Sequence, residues 1–124
     1  MKKLLIVEDD PLILRMYEEA FSFRKYEVAI ADNGQDGLAK AGKEQPDMIL
    51  LDIMMPKMNG LEVLKQLKQD PKLKMVPVVM LTNLSGDDDI ETAMSLGAVK
   101  YITKVDHTPT EIVHEVEEVA SSSK

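Results

Sequence analysis

The chain has no cysteine and no tryptophan among its 124 residues, and only 4% of its residues are aromatic. Without cysteine it can form neither a disulfide nor a thiolate metal site, and its two histidines, His107 and His114, are isolated from any zinc-ligand pattern. With so few aromatic rings, the chain offers little for a flavin ring to stack on. The composition therefore argues against a disulfide scaffold, a zinc protein and a flavoprotein.

The chain also lacks a long hydrophobic run and an excess of positive charge. The first apolar stretch covers only residues 4–7 and acids follow at once, which argues against a signal peptide or a membrane span. Lysine and arginine number 15 against 22 aspartates and glutamates, so the net charge is −7. Such a surface repels nucleic acid and anionic membranes. We expect a cytoplasmic protein that neither binds nucleic acid directly nor inserts in a membrane.

Strand-like apolar segments and amphipathic helical patterns alternate five times along the chain. The predicted strands cover residues 3–8, 27–31, 48–51, 77–81 and 99–103. Asp10-Pro11 and the capping box at residues 108–111 (TPTE) are typical helix starts, and a turn is predicted at residues 84–88. The alternation predicts one α/β domain with a parallel sheet between two layers of helices.

The polarity of the strands predicts their order in the sheet. Strands 1, 3 and 4 are apolar without alternation, which is typical of central strands buried on both faces. Strand 2 contains Glu27, and strand 5 contains Lys100 and Tyr101, so these two suit the edges. The order 2-1-3-4-5 satisfies both conditions and puts the switch point, where such sheets bind ligands, between strands 1 and 3.

Polar residues stand at or just after the ends of four strands: Asp9, Asp52, Thr82 and Lys104. The carboxyl ends of parallel strands meet at one edge of the sheet, so we expect these side chains to share a pocket. Each alone has an ordinary alternative role as a solvated strand end or a cap, and for Asp10 we prefer the helix cap. Two acids, a hydroxyl and an amine together suit the binding of a metal ion and a phosphoryl group.

The acids among these residues predict a particular chemistry. Glu8, Asp9 and Asp52 would repel one another unless a cation compensates them, and hard oxygen ligands favour Mg²⁺ where phosphate is handled. Beside Mg²⁺, Asp52 becomes a nucleophile able to form an acyl phosphate. Lys104 would pair with Asp52 at rest and bind a phosphoryl oxygen after transfer.

Four motifs give the chain a specific family resemblance. They are residues 7–10 (VEDD), 51–60 (LDIMMPKMNG), 81–83 (LTN) and 101–104 (YITK). Together they resemble the receiver domain of two-component response regulators, of the stand-alone chemotaxis type. The resemblance implies a flavodoxin-like (βα)5 fold, with residues 1–124 as a single receiver domain, a core at about residues 3–120 and a polar tail at 121–124. Whether the chain is a whole protein or a receiver cut from a longer regulator stays open.

The resemblance implies a role for each acid. Asp52 is the phosphoacceptor and attacks a phosphohistidine on a sensor histidine kinase or a phosphotransfer protein. Asp9, Asp52 and the backbone carbonyl of Met54 bind Mg²⁺, and Glu8 acts through water.

The resemblance also implies an output. Lys104 and Thr82 contact the phosphoryl group, and Tyr101 is a switch that turns inward when Thr82 moves. The surface of helix 4, strand 5 and helix 5 then changes and controls an unknown downstream protein. Such a regulator is not an enzyme, apart from catalysing its own phosphorylation and slow self-dephosphorylation.

Three features depart from the family pattern. Val105 replaces the usual proline, and because a cis bond without proline costs about 2.5–4 kcal/mol, we expect a trans Lys104–Val105 bond in a more mobile or differently placed loop. Asn83 is larger than the residue usual after the threonine and narrows access to the acceptor. Met54 and Leu84 flank the path of hydrolytic water in the family and cannot orient it, which predicts slow self-dephosphorylation.

Other classes of protein fit the residues less well. A module of the same fold that has lost phosphorylation is disfavoured because all four key residues are present. A flavodoxin-like electron carrier needs a turn rich in Ser, Thr and Gly after strand 1, where residues 8–11 are EDDP. A phosphatase of the haloacid dehalogenase type expects a second aspartate two residues after the nucleophile, where Met54 stands.

Overall fold

The computed structural model describes residues 2–83 and 86–122. In this part of the chain five parallel strands form one sheet in the order β2-β1-β3-β4-β5, which confirms the predicted fold class and order. The strands are β1 (Lys3–Val7), β2 (Glu27–Ala31), β3 (Met48–Leu51), β4 (Val78–Thr82) and β5 (Lys100–Thr103). Val7 of β1 lies opposite Leu51 of β3, so the residues that follow these two strands start side by side.

Each strand is followed by one α-helix in the described residues, which gives five helices. They are α1 (Pro11–Phe23), α2 (Gly34–Glu44), α3 (Gly60–Gln69), α4 (Asp87–Ser95) and α5 (Pro109–Ser122). A short 3₁₀ helix, Lys104–Asp106, follows β5. Helices α1 and α5 pack on one face of the sheet, and α2, α3 and α4 pack on the other. Within the described ranges no helix is long and apolar enough to cross a membrane.

The central strands are buried on both faces, which explains their continuous apolar sequence. Along β1, Leu4 and Ile6 pack in the cluster that includes α1 and α5, while Leu5 and Val7 pack in the cluster that includes α2 and α3. Burying one such side chain contributes about 1.5–3 kcal/mol. Because a one-residue slip would exchange the two faces, this packing fixes where each strand ends.

The predicted helix starts are confirmed. Asp10 Oδ1 accepts a hydrogen bond from the Leu12 N–H at 3.0 Å, so Asp10 is the N-cap of α1. In the capping box, the Glu111 N–H donates to Thr108 Oγ1 at 3.2 Å and the Thr108 N–H donates to Glu111 Oε1 at 2.8 Å. These caps satisfy amide groups that the first helical turn leaves unpaired.

Two predicted boundaries differ from the structure. Helix α4 begins at Asp87, inside the turn predicted for residues 84–88, and the acids at its first three positions stabilise a helix N-terminus. Residues 121–122, predicted as the start of a polar tail, lie in the last turn of α5. Residues 84–85 and 123–124 lie outside the described residues.

The loop between β3 and α3 packs against the end of β3 at Gly60. The Gly60 N–H donates a hydrogen bond to the carbonyl of Ile53 at 2.8 Å. A Cβ atom at this position would lie 1.9 Å from the backbone oxygen of Asp52 and 2.8 Å from Ile53 Cα. Only glycine permits this approach, so Gly60 fixes the path of the chain that carries Asp52.

We expect Gly60→Ala to destabilise the fold by about 2–4 kcal/mol, because the added methyl group collides with backbone atoms that cannot withdraw. Gly42 is a matched control, since it lies exposed in α2 and has no atom within 4 Å of where its Cβ would stand. Gly42→Ala should stabilise the protein by up to about 1 kcal/mol through helix propensity. Urea unfolding measures both, and a Gly60→Ala protein as stable as wild type would contradict the prediction.

Candidate functional site

Residues from the carboxyl ends of β1, β3, β4 and β5 meet in one pocket, as predicted. The described residues that line it are Glu8, Asp9, Asp10, Ile13, Asp52, Met54, Thr82, Asn83 and Lys104. Its volume of about 210 Å³ is below the ~300–1,000 Å³ of sites for drug-sized ligands. A phosphoryl group and a hydrated cation suit this size better than a nucleotide or a flavin.

Three carboxylates cluster on the pocket wall. Glu8, Asp9 and Asp52 each offer an oxygen atom, and these atoms lie within 4.8 Å of one another. Glu8 and Asp52 are only 3% and 5% exposed, whereas Asp9 is more accessible. Hard oxygen ligands at this spacing suit a small divalent cation that keeps several waters, such as Mg²⁺ or Mn²⁺. The cluster could therefore hold a metal ion.

Lys104 reaches into this cluster from the end of β5. Its Nζ lies 3.1 Å from Asp52 Oδ2 and also forms an ion pair with Glu8 Oε1. All three side chains are largely buried. One ammonium therefore faces two buried carboxylates, with the carboxylate of Asp9 close by, so the cluster keeps an excess of negative charge that a divalent cation would offset.

Burial and pairing shift the pKa values of these groups. Burial raises the pKa of Glu8 to about 7; the Lys104 hydrogen bond opposes this shift, and the charge of Asp52 adds to it. Burial alone would lower the pKa of Lys104, but its hydrogen bond to Glu8 and the charge of Asp52 raise that pKa above its usual value. The ammonium therefore stays charged at neutral pH, while Glu8 changes charge there.

Thr82 and Tyr101 occupy neighbouring strands beside the pocket. Thr82 is the last residue of β4, is fully buried and pairs in register with Thr103 of β5. Tyr101 is half-buried and packs against the core on the α3 and α4 face. Burial, followed by the charges of Asp89 and Asp52, raises the pKa of the Tyr101 hydroxyl. Tyr101 therefore lies within electrostatic range of both Asp52 and helix α4, and it is not among the residues that line the pocket.

Met54 and Asn83 stand at the mouth of the pocket. Both are exposed, and the Met54 N–H donates a weak hydrogen bond to Asp52 Oδ1 at 3.4 Å. Leu84, predicted to flank the same opening, lies outside the described residues. The described part of the opening therefore presents a thioether and an amide to solvent.

The peptide bond after Lys104 is trans, as predicted, and the described residues contain no cis bond. Lys104–Asp106 form the 3₁₀ helix, and the Thr103 hydroxyl donates to Asp106 Oδ2 at 2.7 Å. A tight turn with its own side-chain hydrogen bond therefore replaces the usual proline in this loop.

The sequence does not predict that Glu8 pairs with Lys104, since it indicates only Asp52 as the partner of Lys104. Glu8 is buried, pairs with Lys104 and accepts a hydrogen bond from the Asp10 N–H at 3.1 Å through its other oxygen. The sequence contained a clue that Glu8 is buried, because Glu8 directly follows the uninterrupted apolar residues of β1.

A parallel sheet of this order with an acidic pocket at its carboxyl edge defines a flavodoxin-like domain whose carboxylate cluster could hold a metal ion. The chain belongs to the response regulator receiver domain family, whose model matches residues 4–117. This is a family of signalling regulators in two-component systems, and its members are not enzymes in the ordinary sense.

Curated relatives show the same relationship. The chain is 42% identical over 103 residues to the alkaline phosphatase synthesis transcriptional regulatory protein PhoP of Bacillus subtilis, which covers 83% of this chain and 42% of PhoP. It is 35% identical over 104 residues to protein PilH of Pseudomonas aeruginosa, which covers 84% of this chain and 86% of PilH. The chain thus spans less than half of PhoP but most of PilH.

Solved structures agree over nearly the whole chain. The phosphorylated cyanobacterial phytochrome response regulator RcpA is 35% identical, with a TM-score of 0.84 over 99% of this chain and 96% of that one. The Mn²⁺-bound form of response regulator Rcp1 is 31% identical, with a TM-score of 0.82 over 98% of this chain and 94% of that one. One of these relatives is therefore known in a phosphorylated state and the other with a divalent cation.

The burial of Glu8 predicts a pH-dependent stability. Its pKa of about 7 in the folded protein exceeds the usual 4.5, so between these values the folded state binds more protons than the unfolded state. The stability that Glu8 contributes is complete below about pH 4.5 and is lost as the pH rises through about 7.

Glu8→Gln removes this titration, so its free energy of unfolding should fall less than that of wild type between about pH 5 and about pH 8. Glu19→Gln, at an exposed position of α1, should follow wild type. Urea unfolding at both pH values measures the differences. A greater loss in Glu8→Gln than in wild type would show that this assignment is wrong.

Proposed function

We propose that the chain is a phosphorelay switch in which Asp52 accepts a phosphoryl group from a phosphohistidine of a sensor histidine kinase or a phosphotransfer protein, with Mg²⁺ as cofactor. The observation that carries this proposal is the burial of Asp52 between the ammonium of Lys104 and the carboxylates of Glu8 and Asp9. The phosphorylated and Mn²⁺-bound relatives support the same chemistry.

The metal ligands in this proposal are Asp9, Asp52 and the backbone carbonyl of Met54, with Glu8 acting through water. When bound, Mg²⁺ supplies positive charge against both the acidic cluster and the incoming phosphoryl oxygens. The accessibility of Asp9 suits a direct ligand that faces solvent. The ion pair of Glu8 with Lys104 suits a more distant part in metal binding.

Transfer to Asp52 requires one carboxylate oxygen to attack the phosphorus atom. The bond from phosphorus to the imidazole nitrogen of the donor breaks, and that nitrogen keeps the electron pair. Because the transition state is loose, positioning and charge compensation dominate the rate. In the resulting acyl phosphate, the Lys104 ammonium and the Thr82 hydroxyl contact the phosphoryl oxygens.

The output in this proposal passes from Thr82 to Tyr101. Thr82 lies buried at the pocket, and Tyr101 lies one strand further out, close enough to α4 to feel the charge of Asp89. A shift of Thr82 toward the phosphoryl group opens space into which Tyr101 turns. The surface formed by α4, β5 and α5 then changes and controls a downstream protein.

Helix α1 supplies an apolar surface beside the pocket for the phosphodonor. Leu12, Met16 and Phe23 are 79%, 41% and 86% exposed. At 3.6 residues per turn, the three side chains lie within about 40° of one another around the helix. This stripe starts two residues after Asp10, which lines the pocket, and an apolar stripe of this kind suits a partner helix. The donor would therefore approach Asp52 from the α1 side.

The proposal covers the whole chain, with residues 1–124 as one receiver domain in the cytoplasm and its core at about residues 3–120. Its partners are proteins, since the net charge of −7 disfavours direct contact with nucleic acid. A domain that has lost phosphorylation is not favoured, because Asp9, Asp52, Thr82 and Lys104 are not only present but gathered in one pocket.

Acetyl phosphate with Mg²⁺ should add one phosphoryl group to the protein, which peptide mass spectrometry should map to Asp52. Asp52→Asn should reduce labelling by more than about 100-fold, because a carboxamide is not a nucleophile. Asp88→Asn changes an exposed acid in α4 and should label like wild type. Omission of Mg²⁺ should strongly reduce labelling. A phosphoryl group mapped elsewhere would contradict the proposal, and a folded wild type that takes none would favour the module without phosphorylation.

Phosphorylated Asp52 should decay slowly, because the thioether of Met54 cannot orient a hydrolytic water. Met54→Asn supplies a hydrogen-bonding side chain and should speed the loss by about tenfold. Met54→Leu keeps the position apolar and should decay like wild type. The decay is followed after removal of the phosphodonor, with Mg²⁺ present. If wild type lost its phosphoryl group faster than Met54→Asn, the prediction would be wrong.

A further inference from the structure

The loop from β5 to α5 carries Lys104 but lacks a proline that could stiffen it. Val105 is 75% exposed and therefore adds little packing. The backbone turns through the 3₁₀ helix, which is closed by the His107 N–H donating to the Lys104 carbonyl at 3.3 Å. Within the turn the Thr103 hydroxyl also donates to Asp106 Oδ2, but neither bond joins the turn to a helix. An attachment to α5 would restrict the turn further and so help to keep Lys104 Nζ between two carboxylates.

His107, whose sequence spacing left it isolated, provides such an attachment. Its Nδ1 lies 2.9 Å from the carbonyl oxygen of Thr103, the residue before Lys104. Its Nε2 lies 3.2 Å from Glu115 Oε2 of α5. Glu115 Oε1 in turn accepts from Lys100 Nζ of β5 at 2.9 Å. A chain of polar contacts therefore joins β5, the turn and α5.

Both ring nitrogens of His107 face oxygen atoms that can only accept hydrogen bonds. A carbonyl oxygen and an ionised carboxylate have no proton to donate, so each contact needs a proton on the ring nitrogen. A neutral imidazole has one N–H group and an imidazolium has two. The geometry is therefore fully satisfied by the imidazolium, whereas the neutral ring turns a lone pair toward one of the two oxygens.

Two acids of α5 lie beside His107: Glu115 through its contact with Nε2, and Glu111 through an electrostatic interaction. Lys100 of β5 shares the carboxylate of Glu115. A group with N–H donors on two sides satisfies both contacts of His107, whereas a group with one donor satisfies only one of them.

We infer that His107 is a positioning residue which, as an imidazolium, fastens the turn after β5 to α5 and so holds Lys104 Nζ at Asp52. The inference rests on the proposed function, because the rate of phosphoryl transfer to Asp52 is what depends on Lys104. Without these two contacts the turn gains freedom, and the Lys104 ammonium compensates the charge of the acceptor for less of the time. Phosphorylation then slows although every residue that lines the pocket is unchanged.

The test compares His107→Gln with His114→Gln, the same substitution at an exposed histidine of α5. Phosphorylation by acetyl phosphate with Mg²⁺ is measured for all variants at one pH. We expect His107→Gln to be about fivefold slower than wild type, because the amide has one donor group and cannot bind both oxygen atoms as the imidazolium does. His114→Gln should match wild type. His107→Arg carries N–H groups on both sides of its guanidinium and should recover most of the rate.

Glu115→Gln keeps the shape of the side chain without its charge and should reproduce the loss seen in His107→Gln. An equal loss in His107→Arg and His107→Gln would leave His107 an ordinary structural contact and overturn the inference. The absence of any loss would overturn it as well.

Nuclear magnetic resonance of the unphosphorylated protein separates this inference from the proposed function. His107→Gln should shift the side-chain signals of Lys104, and His114→Gln should not. A wild type that shows this coupling but takes no phosphoryl group supports the attachment and contradicts the proposed function. A wild type that is phosphorylated without the coupling contradicts the inference alone.

Discussion

The pocket depends on one buried ammonium held between two buried carboxylates. Lys104 pairs with Glu8 and with Asp52, so the ends of β1, β3 and β5 are joined by charge as well as by the sheet. Removing one member of a buried ion pair typically costs about 3–5 kcal/mol, because the remaining charge is left uncompensated. In the proposed function the phosphoryl oxygens pair with the Lys104 ammonium. Phosphoryl transfer therefore rearranges the same ion pairs that hold the resting pocket together.

The rest of the fold keeps the members of this ion pair in place. Apolar strands packed on both faces fix where the strands end, and Gly60 brings the β3–α3 loop against the backbone of Asp52. On the opposite side, the turn after β5 is short and exposed, and we infer that His107 ties it to α5. The acceptor therefore directly follows a central strand packed on both faces, whereas its counter-charge begins a turn that follows an edge strand.

The molecule also separates the surfaces on which its two proposed partners would bind. The apolar stripe of α1 begins beside the pocket, whereas α4, β5 and α5 form the surface that Tyr101 reaches. A donor and a target can thus be recognised by different residues of one small domain.

The sequence by itself determined the fold class, the strand order and the gathering of Asp9, Asp52, Thr82 and Lys104, because these depend on local patterns and on the rule that parallel strands end at one edge. It did not determine the contact of Glu8 with Lys104 or the link from His107 to Glu115. Only the tertiary structure decided these, since a side-chain contact across 96 residues depends on how deeply each strand end is buried and where each side chain points. Local sequence patterns indicate the type and length of each helix and strand. Which charged side chains pair with one another depends on how these elements pack.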